Sequence, residues 1–246
     1  MSPDWLSRYR DGQRALVWHE LRQLGAAVRE PGLIEETRLV CDEMATRARR
    51  NIDVILGRLR EAGYRFHQGD DQTPVTPHFP PTASAGKHAR WLEERFGPAP
   101  LTLLSWVRIV GDVWLVGTHP GWPQSEAADP LVITAEWTDG RPCTRERMEG
   151  QYELWEERRD EDPAEGPFVM PLAPDRFHKH GVSGGGAYGV LVPDASAEGI
   201  FVAETEMPFV SYLNLVFSCG GFPYPGRRSN DGWQVKKSLA AGLLPL

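Results

Sequence analysis

The stretch 87–117, KHARWLEERFGPAPLTLLSWVRIVGDVWLVG, constrains the fold more than any other part of the chain. Apolar residues step by three and four through Trp91, Leu92 and Phe96, and again through Leu101, Leu104, Val107 and Val110, the spacing of one helical face. Gly97-Pro98-Ala99-Pro100 separates the two runs, with glycine placed to end the first and proline to open the second. Gly111-Asp112 then turns the chain into the strand-like run Val113–Val116. The stretch predicts a helical hairpin feeding a strand, and that strand needs a sheet to join. It carries no catalytic signature.

Two further helical regions precede it. Residues 4–28 place Trp5, Leu6, Tyr9, Leu16, Val17, Leu21 and Leu24 at helical spacing, interrupted near Gly12. Residues 33–62 carry a nearly unbroken apolar stripe, Ile34, Thr37, Cys41, Met44, Ala48, Ile52, Ile55 and Leu59, stopped by Gly63. The other face of that helix holds Arg47, Arg49, Arg50, Arg58 and Arg60, which read as a solvated face. After it the text changes to YRFHQGDDQTPVTPHFPP, where Pro77, Pro80 and Pro81 exclude a regular helix or central strand. An extended crossover is expected, opening with an edge strand at Tyr64–His67, and Tyr64, Phe66 and Phe79 are too apolar for a free linker. The division expected is a helical extension over residues 1–63 and a mixed domain over 64–246.

Downstream, a strand is predicted over Pro130–Trp137, followed by the most acidic stretch of the chain, residues 149–165. Phe168–Leu172, Tyr188–Val192 and Ile200–Ala203 read as strands separated by Gly or Pro. Pro208–Cys219 reads as an amphipathic helix stopped at Gly220-Gly221, and Trp233–Leu246 adds a short one.

Composition removes several function classes. A hydrophobic fraction of 41% with 25% charged residues is ordinary for a globular chain and excludes disordered and fibrous classes. The formal net charge of −7 opposes a phosphate-backbone groove, so direct nucleic-acid binding is not expected and a basic protein partner fits better. The three cysteines, Cys41, Cys143 and Cys219, form no C-x-x-C pair and read as thiols in a reducing cytosol rather than disulfides or zinc ligands. No apolar run reaches the length of a membrane helix and the first residues are polar, so a cytoplasmic location is expected.

Two catalytic patterns match in letters only. Gly181-Val182-Ser183-Gly184-Gly185 satisfies G-x-S-x-G, whose chemistry needs a strand before and a helix after the serine. Here the order is reversed, and no histidine follows His180 to complete the hydrolase order. Gly184, Gly186 and Gly189 satisfy G-x-G-x-x-G, yet they open into YGVLVP, a strand rather than the phosphate-binding helix. His178 and His180 sit two apart, which on an extended segment puts both imidazoles on one face with Asp175 nearby and His119 elsewhere. That arrangement is a weak candidate for a metal site or an acid–base pair. The loop His119-Pro120-Gly121-Trp122-Pro123 reads as a rigid turn. Of the nine tryptophans, Trp114, Trp122 and Trp233 lie near loops, where an aromatic also suits an interface hot spot.

Taken together, Leu92-Glu93, Phe96-Gly97, Pro100-Leu101, Trp106 and Val110-Gly111 resemble the helix pair of the SUKH superfamily, which includes cell-wall regulators of the Smi/Knr type and many bacterial immunity proteins. The later half is similar too: Phe168–Leu172 before Asp175, a glycine-rich turn into Tyr188–Val192 and Asp194, then Ile200–Ala203 and a Phe-led helix from Phe209. The resemblance spans residues 64–246. Pro100-Leu101 inverts the usual Leu-Pro order and Val110 replaces the usual Asn. It implies an α+β fold with a central, mostly antiparallel sheet flanked by helices, and no catalytic apparatus or cofactor.

The function expected on these grounds is that of a non-enzymatic immunity protein that blocks a basic toxin domain. The surface expected to do so is Glu156, Glu157, Asp160 and Glu161 with the aromatics Trp114, Trp122 and Tyr188. The alternatives are a metal-dependent enzyme using Asp175, His178 and His180, or an intracellular scaffold that self-associates through the N-terminal helices.

Overall fold

The computed structural model describes residues 3–70, 72–135, 145–224 and 230–246. The N-terminal helices form where the apolar spacing predicts them: α1 (Trp5–Arg10), α2 (Arg14–Leu24) and the long α3 (Ile34–Glu61). Thr37, Cys41, Met44, Ala48, Ile52, Ile55 and Leu59 of α3 are all buried, and each large apolar side chain among them contributes about 1.5–3 kcal/mol by leaving water. Past the helix end, Gly63 turns into the left-handed region, and the amide of Tyr64 bonds back to the Leu59 carbonyl.

The arginine face of α3 is not wholly solvated. Arg49 donates to the Ile109 carbonyl at 3.0 Å and Arg58 to that of Leu239 at 2.7 Å. Both carbonyls lie at helix ends, where backbone acceptors lack intrahelical partners and a guanidinium satisfies them. Asn51, fully buried on α3, exchanges two hydrogen bonds with the backbone of Leu244 and so fixes the C-terminal tail.

After α3 come β1 (Arg65–Phe66), β2 (His78–Phe79), α4 (Ala85–Phe96), α5 (Leu101–Ser105), a π turn over Trp106–Val110, β3 (Asp112–Trp114), β4 (Gly117–Thr118) and β5 (Val132–Ile133). The helical hairpin and its strand are therefore present, with the second helix loosened to π geometry before Gly111. The strand expected over Val113–Val116 ends at Trp114 because the chain leaves its ladder with β2 and β5 to pair Gly117 with Phe66 of β1. Of the strand expected over Pro130–Trp137, β5 is the part that forms, and Trp137, like Cys143, lies outside the described residues. Cys41 is buried and Cys219 half-buried, both as free thiols.

Gly111 makes the turn possible. Its φ is +81°, and a Cβ built there would sit 2.3 Å from the Phe79 carbonyl oxygen of β2. Gly111→Ala is expected to destabilise the fold by at least about 1–3 kcal/mol, the cost of a left-handed non-glycine residue alone, read as a lower urea midpoint at unchanged slope.

The acidic stretch is a helix, α6 (Arg145–Glu161), rather than an irregular insertion. Met148, Tyr152 and Trp155 form its inward stripe. Tyr152 and Trp155 pack on Phe168 and Tyr152 also meets Phe96, with ring centroids 5.0–5.7 Å apart. Then follow β6 (Phe168–Ala173), α7 (Arg176–Lys179), β7 (Tyr188–Val192), β8 (Ile200–Val202), β9 (Glu206–Pro208), α8 (Phe209–Ser218) and α9 (Asn230–Ala240). The strands β6 to β9 form an antiparallel meander, with a register shift between Pro171 and Ala173. The amide of Thr134, just past β5, donates to the Leu172 carbonyl at 2.8 Å, joining the β2–β3–β5 ladder to the meander's β6 edge.

The fold is thus α+β, with every strand pairing among the described residues antiparallel. One apolar core runs from Trp5 to Leu246. Residues before Gly63 and after Tyr64 share it, with α3 against α5, the π turn and α9.

Candidate functional site

The expected binding residues part company. Trp114 is 4% exposed, Trp122 5% and Tyr188 4%, so the aromatic half of the expected surface is in the core, which corrects its assignment as a set of exposed anchors. Proximity to loops misled here, because each ring finds a buried polar or aromatic partner. The Trp114 indole donates to the His67 carbonyl at 2.9 Å. Trp122 meets Phe222 at 5.4 Å between centroids and closes the His119 turn through its own amide, at 3.0 Å from the His119 carbonyl. The Tyr188 ring receives the Lys179 ammonium at 4.8 Å, and its hydroxyl accepts from the Arg176 amide at 3.3 Å.

The acidic half stands at the surface. Glu157, Asp160 and Glu161 are exposed on α6 and Glu156 is half-buried, with Arg95 4.0 Å away.

The histidines also differ from expectation. Residues 176–179 are helical, not extended, because the Asp175 carboxylate caps them: its Oδ1 accepts from the amides of Phe177 at 2.7 Å and His178 at 3.2 Å. The two imidazoles consequently take different partners. His178 Nδ1 is hydrogen-bonded to Asp175 Oδ2, whereas His180 Nδ1 lies 3.1 Å from Glu126. His119 is apart, its Nδ1 accepting from the Gly121 amide at 3.0 Å, and burial lowers its pKa. Among the described residues no group of three or more His, Cys, Asp or Glu is placed to hold a metal ion. Ser183 lies on an exposed loop that enters strand β7, so no nucleophile elbow forms.

Burial pushes the Asp175 carboxyl up, but the bonds from the His178 ring and from the two amides outweigh it and hold its pKa below the usual range. Beneath α7, Lys179 is fully buried with its ammonium 2.6 Å from Asp129 Oδ1. Burial lowers its pKa, and the Asp129 carboxylate opposes that shift.

The structure brings Trp114, Asp175 and His178 together at one cleft of about 240 Å³. Gln68, Thr134, Arg147, Pro171 and Ala187 complete most of its wall, and none of these is singled out by sequence, since they come from five separate segments. His178 is the half-exposed polar group of the cleft, its side chain 50% accessible, while Asp175 behind it is 6% accessible.

No protein-family model matches the chain, and neither a curated protein nor a solved structure matches it significantly. No helix among the described residues is long and apolar enough to cross a membrane.

Proposed function

We propose that the chain is a non-enzymatic, cytoplasmic binding protein of the immunity kind, which engages a basic toxin domain through the outer face of α6. The observation that carries this reading is the composition of that face. Leu154, Glu157 and Glu161 fall three and four residues apart on one side of the helix, with Asp160 beside them, and Leu154 is 48% exposed. An apolar contact ringed by carboxylates suits a positively charged protein surface, the charges steering the encounter and the leucine excluding water. Leu154 takes the place of the buried aromatics in the mechanism. The order of elements from α4 to α8, two helices, strands and a meander running into a Phe-led helix, supports the SUKH resemblance on which the immunity reading rests.

The test starts with the full chain as bait in its native cell and continues with the purified partner. Reversing the charges at Glu156, Glu157, Asp160 and Glu161 is expected to slow association at least about tenfold at low salt, with the difference shrinking as salt is added. An unchanged association rate removes the acidic face from the mechanism.

A further inference from the structure

The cleft at His178 lies apart from the partner-binding face and does not depend on it. Its chemistry follows from how its polar groups are already committed. Asp175 accepts three hydrogen bonds, from the His178 ring and from the amides of Phe177 and His178. The glycine loop is pressed onto it: a Cβ on Gly184 would fall 2.6 Å from Asp175 Oδ1 and 2.4 Å from Phe177 Cβ. The carboxylate is therefore covered and occupied. With Nδ1 of His178 bonded to Asp175, the ring is held in one orientation, and Nε2 has no hydrogen-bond partner among the described residues. On the same wall stands Arg147, from the first turn of α6, whose guanidinium presents a fork of donors. Gln68 and Thr134 are the remaining polar members, and Trp114, Pro171, Ala173 and Ala187 supply an apolar floor.

We propose that this cleft binds a small ligand bearing a carboxylate or phosphate group, its anionic head taken by His178 Nε2 and the Arg147 guanidinium and its body resting on the apolar wall. The volume of about 240 Å³ falls just below the roughly 300–1,000 Å³ of drug-sized sites, which favours a compact metabolite over a nucleotide or a peptide. Asp175 acts as a positioning residue in this scheme, fixing the imidazole without touching the ligand.

The proposal is tested by titrating the full chain with inorganic phosphate, and separately with acetate, while following the histidine ring signals by NMR. The His178→Gln variant identifies the His178 signal by its loss. The expected result is a saturable shift of that signal with either probe, weakened at least about tenfold in Arg147→Gln. Arg147 is exposed, so this change leaves the core intact. A second variant blocks the cleft without altering charge: Gly185→Leu, at a position where an added Cβ meets no atom within 4 Å, is expected to abolish the shift. A His178 signal that does not move with either probe, or that saturates identically in Arg147→Gln and Gly185→Leu, overturns the proposal. A shift with one probe alone supports it and fixes the class of head group.

Discussion

Replacing Arg22 by alanine is expected to destabilise the protein by about 3 kcal/mol or more at neutral pH, although Arg22 itself is 40% exposed. The effect arises at its partner. Arg22 Nε donates to Glu198 Oε2 at 2.7 Å, and the Glu198 side chain has no accessible surface. The other carboxylate oxygen accepts from the Val210 amide at 2.9 Å, in the open first turn of α8. One buried carboxylate thus ties α2 to α8 across 176 residues of sequence. Removing the arginine leaves that charge buried and half-compensated, and removal of one partner of a buried pair is what makes such pairs costly.

The pH dependence has a definite sign. Burial already raises the Glu198 pKa above its ordinary 4.5, against the pull of Arg22 and of the α8 amides. A carboxyl whose folded pKa is raised contributes stability that is fully present below about 4.5 and is lost as pH rises through the folded value. Without Arg22 the folded value climbs further. The difference between wild type and Arg22→Ala is therefore expected to be small near pH 4 and to grow toward pH 7, measured by urea denaturation at each pH. In a Glu198→Gln background, where the side-chain oxygen still accepts from Val210 but carries no charge, Arg22→Ala is expected to cost less than about 1 kcal/mol. A loss that is equal at both pH values places the effect of Arg22 in packing instead.

Neither member of this pair announces itself in the sequence. Arg22 and Glu198 are ordinary polar residues, and their meeting depends on how α2 is carried against the meander. What is legible is local. The stripe from Thr37 to Leu59 repeats at three and four residues over seven turns, and Gly63 marks its end, so α3 follows from periodicity alone. The break at Gly97–Pro100 is equally plain. The acidic helix is harder to see, because its buried stripe reduces to Met148, Tyr152 and Trp155 amid carboxylates that mask the period. The cleft shows a mixture. Asp175 and His178 are three residues apart and were in view as a pair, but their spacing to His180 suggested an extended segment, whereas capping by Asp175 makes a helical turn. Gln68, Thr134 and Arg147 reach the same cleft only through tertiary folding, and sequence carries no signal of that. Trp114 and Trp122 show the converse error: an aromatic beside a loop looks exposed until the loop is found to fold over it.

The pair beneath the cleft gives the second large effect. Lys179 and Asp129 are both buried and 2.6 Å apart, with the Lys179 ammonium also facing the Tyr188 ring. Asp129 has φ +57°, a left-handed conformation that Asp and Asn tolerate better than other non-glycine residues, so Asn is the substitution that tests charge without adding backbone strain. Asp129→Asn removes the countercharge from a fully buried ammonium and is expected to cost about 3–5 kcal/mol. Lys179→Met, which keeps the length of the side chain and leaves the Asp129 carboxylate unpaired, is expected to cost a similar amount. The double variant leaves no buried charge at this point and a methionine of matching shape against Tyr188, so it is expected to recover most of the loss, with a coupling of at least about 2 kcal/mol in the thermodynamic cycle. Additive losses would mean that the two side chains act independently, through packing rather than charge. Because Lys179 is the last residue of the helical turn that carries His178, the single variants are also expected to disturb the His178 ring signal, and the double variant to restore it. Recovery of stability without recovery of that signal would separate the burial of charge under α7 from the positioning of the imidazole above it.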